Sequence, residues 1–115
     1  LKLDKYTMAI SNTTVPTPSD AIYTSIGSTA VTAVYFCNNT ATNPAILNVY
    51  VAPSGTAVPV ANQYQIAQNV SLAPGDTYQL SDFNGNGVKL VLDNGDFIAA
   101  DCTDTIAVTV VYVDV

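Results

Sequence analysis

Histidine, arginine and tryptophan are missing from this 115-residue sequence, and lysine occurs only as Lys2, Lys5 and Lys89. Without His the chain lacks the commonest general base and the commonest transition-metal ligand. Its two cysteines cannot complete a zinc site on their own. Three scattered cations cannot displace counterions from nucleic-acid phosphates or bind an anionic membrane. We therefore expect no nucleic-acid or membrane partner and no cofactor, and the lack of a nucleophile–base pair argues against an enzyme.

Long hydrophobic runs are also missing, although apolar residues make up 49% of the chain and charged residues only 10%. The longest uninterrupted apolar stretches, such as residues 33–37, are far too short to cross a bilayer. A chain of this length and composition can bury one hydrophobic core and is unlike a disordered acidic segment, in spite of its net charge of -6. The composition therefore predicts a single soluble domain.

Helical periodicity is not sustained over any eleven-residue window, and short β-branched and aromatic stretches alternate with Gly, Pro, Asn and Asp clusters. This pattern predicts an all-β, antiparallel β-sandwich with either immunoglobulin-like or jelly-roll topology, and the sequence does not decide between them. Strands are expected at residues 6–12, 21–26, 29–38, 45–51, 63–72, 77–80, 89–92, 97–101 and 105–113.

The two ends of the chain differ in character. The final strand, residues 105–113, is apolar on both faces, which is typical of a strand covered on both sides or of a subunit interface. Residues 1–19 carry two of the three lysines and end in a Pro/Thr/Ser connector, so we interpret them as an arm and residues 20–115 as the sandwich domain. An ordinary edge strand followed by a loop explains the same segment equally well.

The stretch "DFNGNG" resembles the start of a calcium loop, with Asp82, Asn84, Asn86 and, at the twelfth position, Asp93 as oxygen ligands. Only two of these four are charged, and the flanking segments are predicted strands, whereas an EF-hand has helices. Asn and Gly adopt turn conformations readily. We therefore interpret the stretch as a turn, and we expect no bound calcium.

Two further pairs of residues were considered as sites. Asp76 and Asp96 each follow a Gly in a turn, and a carboxylate in that position usually accepts hydrogen bonds from the backbone of its own turn. Cys37 and Cys102 lie far enough apart for a bridge between sheets, but the Trp and Tyr that accompany the immunoglobulin disulfide are absent. We expect free, partly buried thiols.

The order of turns and strands supports a resemblance. The segments "TAVYFCNNTATNPAILNVYVAPSGT", "NVSLAPGDTYQL", "KLVLDNGDFIAADC" and "AVTVVYVDV" together resemble small virion proteins of tailed phages, especially marine and cyanobacterial phages. The resemblance covers residues 20–115. It implies a non-enzymatic β-sandwich that is displayed on the particle or cements it, in several copies, and it does not distinguish head from tail. Our leading hypothesis is a capsid decoration or cement protein on the virion, a homo-oligomer whose partner is the major capsid protein or another virion protein.

A second hypothesis belongs to a different class of function. A glycan-binding or adhesin module of a phage tail, or of a secreted or pilus-associated protein, would stack sugars on exposed aromatic rings. Without Trp, that platform would have to consist of tyrosines, and the candidates are Tyr23, Tyr50, Tyr64 and Tyr78. Their exposure on one common face would favour this second hypothesis over the first.

Overall fold

The computed structural model describes residues 8–15, 17–80 and 90–115. Within these ranges the chain forms β-strands and one short 3₁₀ turn, and no helix there is long and apolar enough to cross a bilayer. The prediction of an all-β, antiparallel sandwich is confirmed. The strands are β1 (Met8–Thr14), β2 (Asp20–Thr24), β3 (Thr29–Cys37), β4 (Ala45–Ala52), β5 (Gln65–Leu72), β6 (Thr77–Leu80), β7 (Leu90–Leu92), β8 (Phe97–Cys102) and β9 (Ala107–Asp114).

Two sheets form the sandwich. Sheet A has the order β1-β9-β3-β6, with the short β7 also paired to β3, and sheet B has the order β2-β8-β4-β5. Consecutive strands β1 to β4 therefore alternate between the sheets. This is the strand order of a jelly roll with one additional strand, β7. The immunoglobulin-like alternative does not fit, because its first two strands pair in one sheet.

The N-terminal segment joins the sandwich where the structure describes it. Residues 8–14 form β1, which pairs antiparallel with β9 from Met8 opposite Val113 to Thr14 opposite Ala107. This part of the expected arm is an edge strand of the domain's own sheet, as in the second interpretation considered for the segment. Residues 1–7 lie outside the described ranges.

The main core lies between the sheets and follows the alternation of the strands. Sheet A contributes Val34 and Phe36 of β3 and Val110 of β9, all fully buried, and sheet B contributes Leu47 of β4 and Ile98 of β8. Full burial of such a side chain is worth roughly 1.5–3 kcal/mol relative to exposure. The regular spacing of these residues therefore fixes which face of each strand turns inward.

A smaller core lies on the outer side of sheet B. There the β4–β5 connection, residues 53–64, folds back over the sheet and buries apolar side chains that point away from the main core. Strands β4 and β8 are therefore covered on both faces. The final strand, β9, which the sequence predicted to be covered on both sides or to form a subunit interface, has a half-exposed outer face. The residues of this smaller core are Tyr50, Ala52, Val60, Phe97 and Ala99, with Tyr64 packed against them.

Candidate functional site

The proposed calcium ligands lie mostly outside the described residues. Of the four, only Asp93 is described, and it opens the turn between β7 and β8. Its backbone N–H donates to Asp96 Oδ2 over 3.0 Å. Within the described ranges, no group of three or more His, Cys, Asp or Glu side chains is placed to hold a metal ion.

Asp76 and Asp96 both close their own turns. Asp76 Oδ2 accepts the N–H of Ala73 over 3.2 Å, in the same way that Asp96 accepts the N–H of Asp93. In each turn the preceding glycine, Gly75 or Gly95, has a φ of 88°, which suits the third position of a type II turn. The predicted structural role of these two acids is confirmed.

The two cysteines belong to different sheets and are free thiols. Cys37 is half-buried at the end of β3, on the outer face of sheet A, where the register places it beside Ala107. Cys102 is buried in the core at the end of β8, and burial raises the pKa of its thiol. A bridge between them would have to connect an outward-facing side chain to an inward-facing one.

The four tyrosines of the glycan-binding hypothesis do not share one surface. Tyr50 is only 4% exposed and belongs to the smaller core. Tyr23 packs on Tyr112, with ring centroids 4.7 Å apart, and Tyr78 lies against Phe36 in the main core. Tyr64 and Tyr23 line two different concave surfaces, Tyr64 in the β4–β5 connection and Tyr23 beside Tyr112 and Asp114.

A hydrogen-bonded group stabilises the outer side of sheet B next to the smaller core. The Tyr50 hydroxyl donates to Asp101 Oδ2 over 2.6 Å, and Asn48 Nδ2 donates to Asp101 Oδ1 over 2.9 Å. Burial raises the pKa of Tyr50 to about 12, and the hydrogen bond to Asp101 and its negative charge add to the effect. Both carboxylate oxygens of Asp101 are thus occupied by partners from β4, which indicates a structural role.

The outer face of sheet A, unlike this polar group, exposes apolar side chains. The antiparallel register aligns side chains from β1, β9, β3 and β7 into rows across the face. The most exposed apolar side chains here are Ile10, 64% exposed, and Val91, 62% exposed. Two neighbouring rows are entirely apolar: Val113, Ala30 and Val91 in one, and Ile10, Val111 and Ala33 in the next.

The other described residues of this face are polar or small, and none of them is charged. The next rows contain Asn12, Thr109 and Tyr35, and then Thr14, Ala107 and Cys37. Thr109 Oγ1 donates to Asn12 Oδ1 over 2.8 Å, so part of the polarity is satisfied between neighbouring strands. The described acidic residues lie instead in turns, at strand ends or on sheet B: Asp20, Asp76, Asp93, Asp96, Asp101, Asp104 and Asp114.

A pocket of about 460 Å³ opens in the β4–β5 connection. Its lining includes the side chains of Ser54, Thr56, Pro59, Gln63 and Tyr64. The described residues that line it include no Asp or Lys, and Tyr64 packs against the smaller core.

The walls of this pocket are held at two points. Ser54 N–H donates to Asp96 Oδ1 over 3.0 Å, which ties one wall to the β7–β8 turn. Val60 N–H donates to Ser19 Oγ over 2.7 Å, and the Val60 side chain is buried in the smaller core. The Ser54 side chain also packs so closely on Gly95 that a Cβ there would collide with it. The pocket is therefore built into the fold.

Comparisons with family models, curated proteins and solved structures found no match for this chain. The sequence analysis did not predict the pocket in the β4–β5 connection. It had also missed Val91 and Ile10 as members of one surface, because β7 and β1 come together only through β9 and β3. The residue pattern of each strand predicted its position along the chain but not which strands would be its neighbours.

Proposed function

We propose that this protein is a non-enzymatic structural subunit of a phage virion, of the capsid decoration or cement type, present in several copies. We further propose that two copies associate through the outer face of sheet A. One observation carries the proposal: the described residues of this face are uncharged and half of them are apolar, including the exposed Ile10 and Val91. An apolar surface of this kind typically marks an interaction site.

The charge distribution favours a second copy of the chain as the occupant. Each copy has a net charge of -6, so most ways of bringing two copies together place negative charges near each other. Among the described residues, the outer face of sheet A contains no carboxylate, and two such faces can approach without that repulsion. The hydroxyl and amide groups in its polar rows, those of Thr109, Asn12 and Tyr35, can exchange water for partner groups at the rim.

The size of the face sets the expected strength. Four strands about 4.8 Å apart, each roughly seven residues long at about 3.3 Å per residue, cover about 450 Å². A face-to-face pair would therefore bury about 900 Å² in total, slightly less than the roughly 1,000 Å² that a specific interface usually exceeds. We expect a weak dimer in solution that is reinforced when many copies are held close together on a particle.

The fold and the sequence resemblance also support the proposal of a virion structural protein. Jelly rolls recur among viral capsid domains and lectins, although a fold alone does not define a function. The turns that carry the resemblance to phage virion proteins are those that connect the strands of this jelly roll, including residues 73–76 and 93–96.

Self-association is tested with a matched pair of variants. Val91→Asp places a carboxylate in the apolar rows, whereas Val58→Asp makes the same change at a 50% exposed position in the β4–β5 connection. Sedimentation analysis over a concentration series should show a dimer for the wild type and for Val58→Asp, and at least tenfold weaker association for Val91→Asp, because like charges would meet across the interface. A wild type that stays monomeric at millimolar concentration, or equal association of both variants, contradicts the assigned surface.

Location on the virion needs a separate experiment. Immunogold labelling of intact particles of the phage that encodes this chain should show many labels per capsid. Absence of the chain from purified particles contradicts the proposal, and so does labelling restricted to tail tips. Particles stripped of the native protein should bind the Val91→Asp chain at reduced occupancy. That result would show that self-association through the outer face of sheet A contributes to attachment, whereas unchanged occupancy would assign this face to another role.

A further inference from the structure

The pocket in the β4–β5 connection carries an inference beyond assembly. We propose that it binds a neutral saccharide, with Tyr64 as the stacking surface and the side chains of Gln63 and Ser54 as hydrogen-bonding groups. A volume of about 460 Å³ lies in the usual range for small-molecule sites and has room for one or two sugar rings.

The polarity of the lining selects the class of ligand. Hydroxyl and amide side chains, those of Ser54, Thr56 and Gln63, alternate with the apolar surfaces of Pro59 and Tyr64. A sugar ring has the same dual character, because its C–H faces are apolar and its edges carry hydroxyl groups. An aromatic ring next to a few polar groups is a common composition for a site that fixes a ligand's orientation.

Charge excludes the competing ligand classes. No cation is among the described residues that line the pocket, and the protein as a whole is strongly acidic, so phosphate, sulfate and acidic sugars would be repelled. The nearby carboxylate of Asp96 accepts hydrogen bonds from the N–H groups of Ser54 and Asp93. It is therefore engaged in holding the wall and is poorly suited to pairing with a cationic ligand.

Some residues that line the pocket have unused hydrogen-bonding capacity. Within the described residues, the Gln63 amide, the Ser54 hydroxyl and the Tyr64 hydroxyl make no side-chain hydrogen bond to the protein, whereas Thr56 Oγ1 already donates to Pro53 O over 2.8 Å. An amide and a hydroxyl can both donate and accept, as sugar hydroxyls do. These groups can bind a ligand without giving up any contact within the fold.

The aromatic surface is ordered before any ligand arrives. Tyr64 ends the 3₁₀ turn Asn62–Tyr64, donates its N–H to Ala61 O over 3.1 Å and packs on the smaller core. Val60 and Ser54 hold the two walls through the hydrogen bonds described above. Preorganisation of this kind lowers the entropy lost on binding.

The experiment uses the full chain on a glycan array that carries neutral oligosaccharides of glucose, galactose, mannose and N-acetylhexosamines beside sialylated and sulfated glycans. We expect binding to a subset of the neutral glycans. In solution titrations with the best of these, Tyr64→Ala should weaken binding at least tenfold, whereas Tyr64→Phe, which retains the ring, should weaken it severalfold at most.

Two glutamine variants, one inside and one outside the pocket, control for effects on folding. Gln63→Ala should weaken binding severalfold, and Gln68→Ala, at an exposed position on β5 outside the pocket, should leave it unchanged. Binding to no neutral glycan, stronger binding to acidic than to neutral glycans, or equal affinity of the Gln63→Ala and Gln68→Ala variants would overturn the proposal. The Val91→Asp variant retains the pocket. Its sugar binding in solution therefore tests the saccharide proposal independently of the assembly proposal.

Discussion

Asn38 is expected to be one of the most sensitive single positions in the fold. Its side chain is fully buried at the end of β3 and makes four hydrogen bonds. Nδ2 donates to Asn43 O over 2.8 Å and to Leu72 O over 2.9 Å. Oδ1 accepts from Thr40 N over 3.1 Å and from Thr40 Oγ1 over 2.7 Å. One amide thus connects the β3–β4 loop to the end of β5.

Asn38→Asp keeps the size of the side chain but removes both donors. At neutral pH a carboxylate oxygen would then face the carbonyls of Asn43 and Leu72, and two acceptors would lose their partner. Each unsatisfied buried group costs about 1–3 kcal/mol, and the buried negative charge adds to that cost. We expect a loss of about 3–6 kcal/mol, a large part of the 5–15 kcal/mol that is typical of a domain.

Thermal unfolding provides the assay. With an unfolding entropy of about 2.1 cal/mol/K per residue, that loss lowers the melting temperature of a chain of this length by roughly 10–25 °C. Asn39→Asp is the matched control, since Asn39 is exposed and adjacent, and its change should stay within about 0.5 kcal/mol. Melting temperatures that agree within about 3 °C for the two variants at pH 7 would refute the reasoning.

Two further predictions concern titratable groups. The pKa of Tyr50 is about 12 in the folded state against 10.0 for the free group, so folding favours the neutral phenol. Its contribution to stability is therefore complete below pH 10 and is lost as the pH rises from 10 towards 12. Urea denaturation at pH 8 to 11.5 should therefore show a shallower alkaline decline for Tyr50→Phe than for the wild type, and parallel declines would contradict the assignment. Alkylation of the native protein should modify Cys37 and spare the buried Cys102, and denaturant should expose both; equal native reactivity would be inconsistent with their placement.

Local features of the fold could be predicted well from the sequence. The short β-branched and aromatic stretches predicted the strands, and the expected strands agree with the observed ones within a few residues. The turns at residues 73–76 and 93–96 were recognisable because Gly and Asp act there on their own neighbours in the chain. Interactions within three or four residues leave a signature in the sequence that needs no tertiary contact.

The assembly of these parts was decided by contacts between distant residues. Jelly-roll pairing, the place of β1 beside β9 and the double covering of β8 all depend on which surfaces meet, and several pairings satisfy the same alternation. The pocket likewise exists because Ser54 reaches Asp96 and Val60 reaches Ser19, contacts that span 42 and 41 positions. The sequence by itself therefore determined the strands and their turns, whereas only the tertiary structure decided the inward faces, the neighbouring strands and the two candidate surfaces, because these arise from side chains that are far apart along the chain.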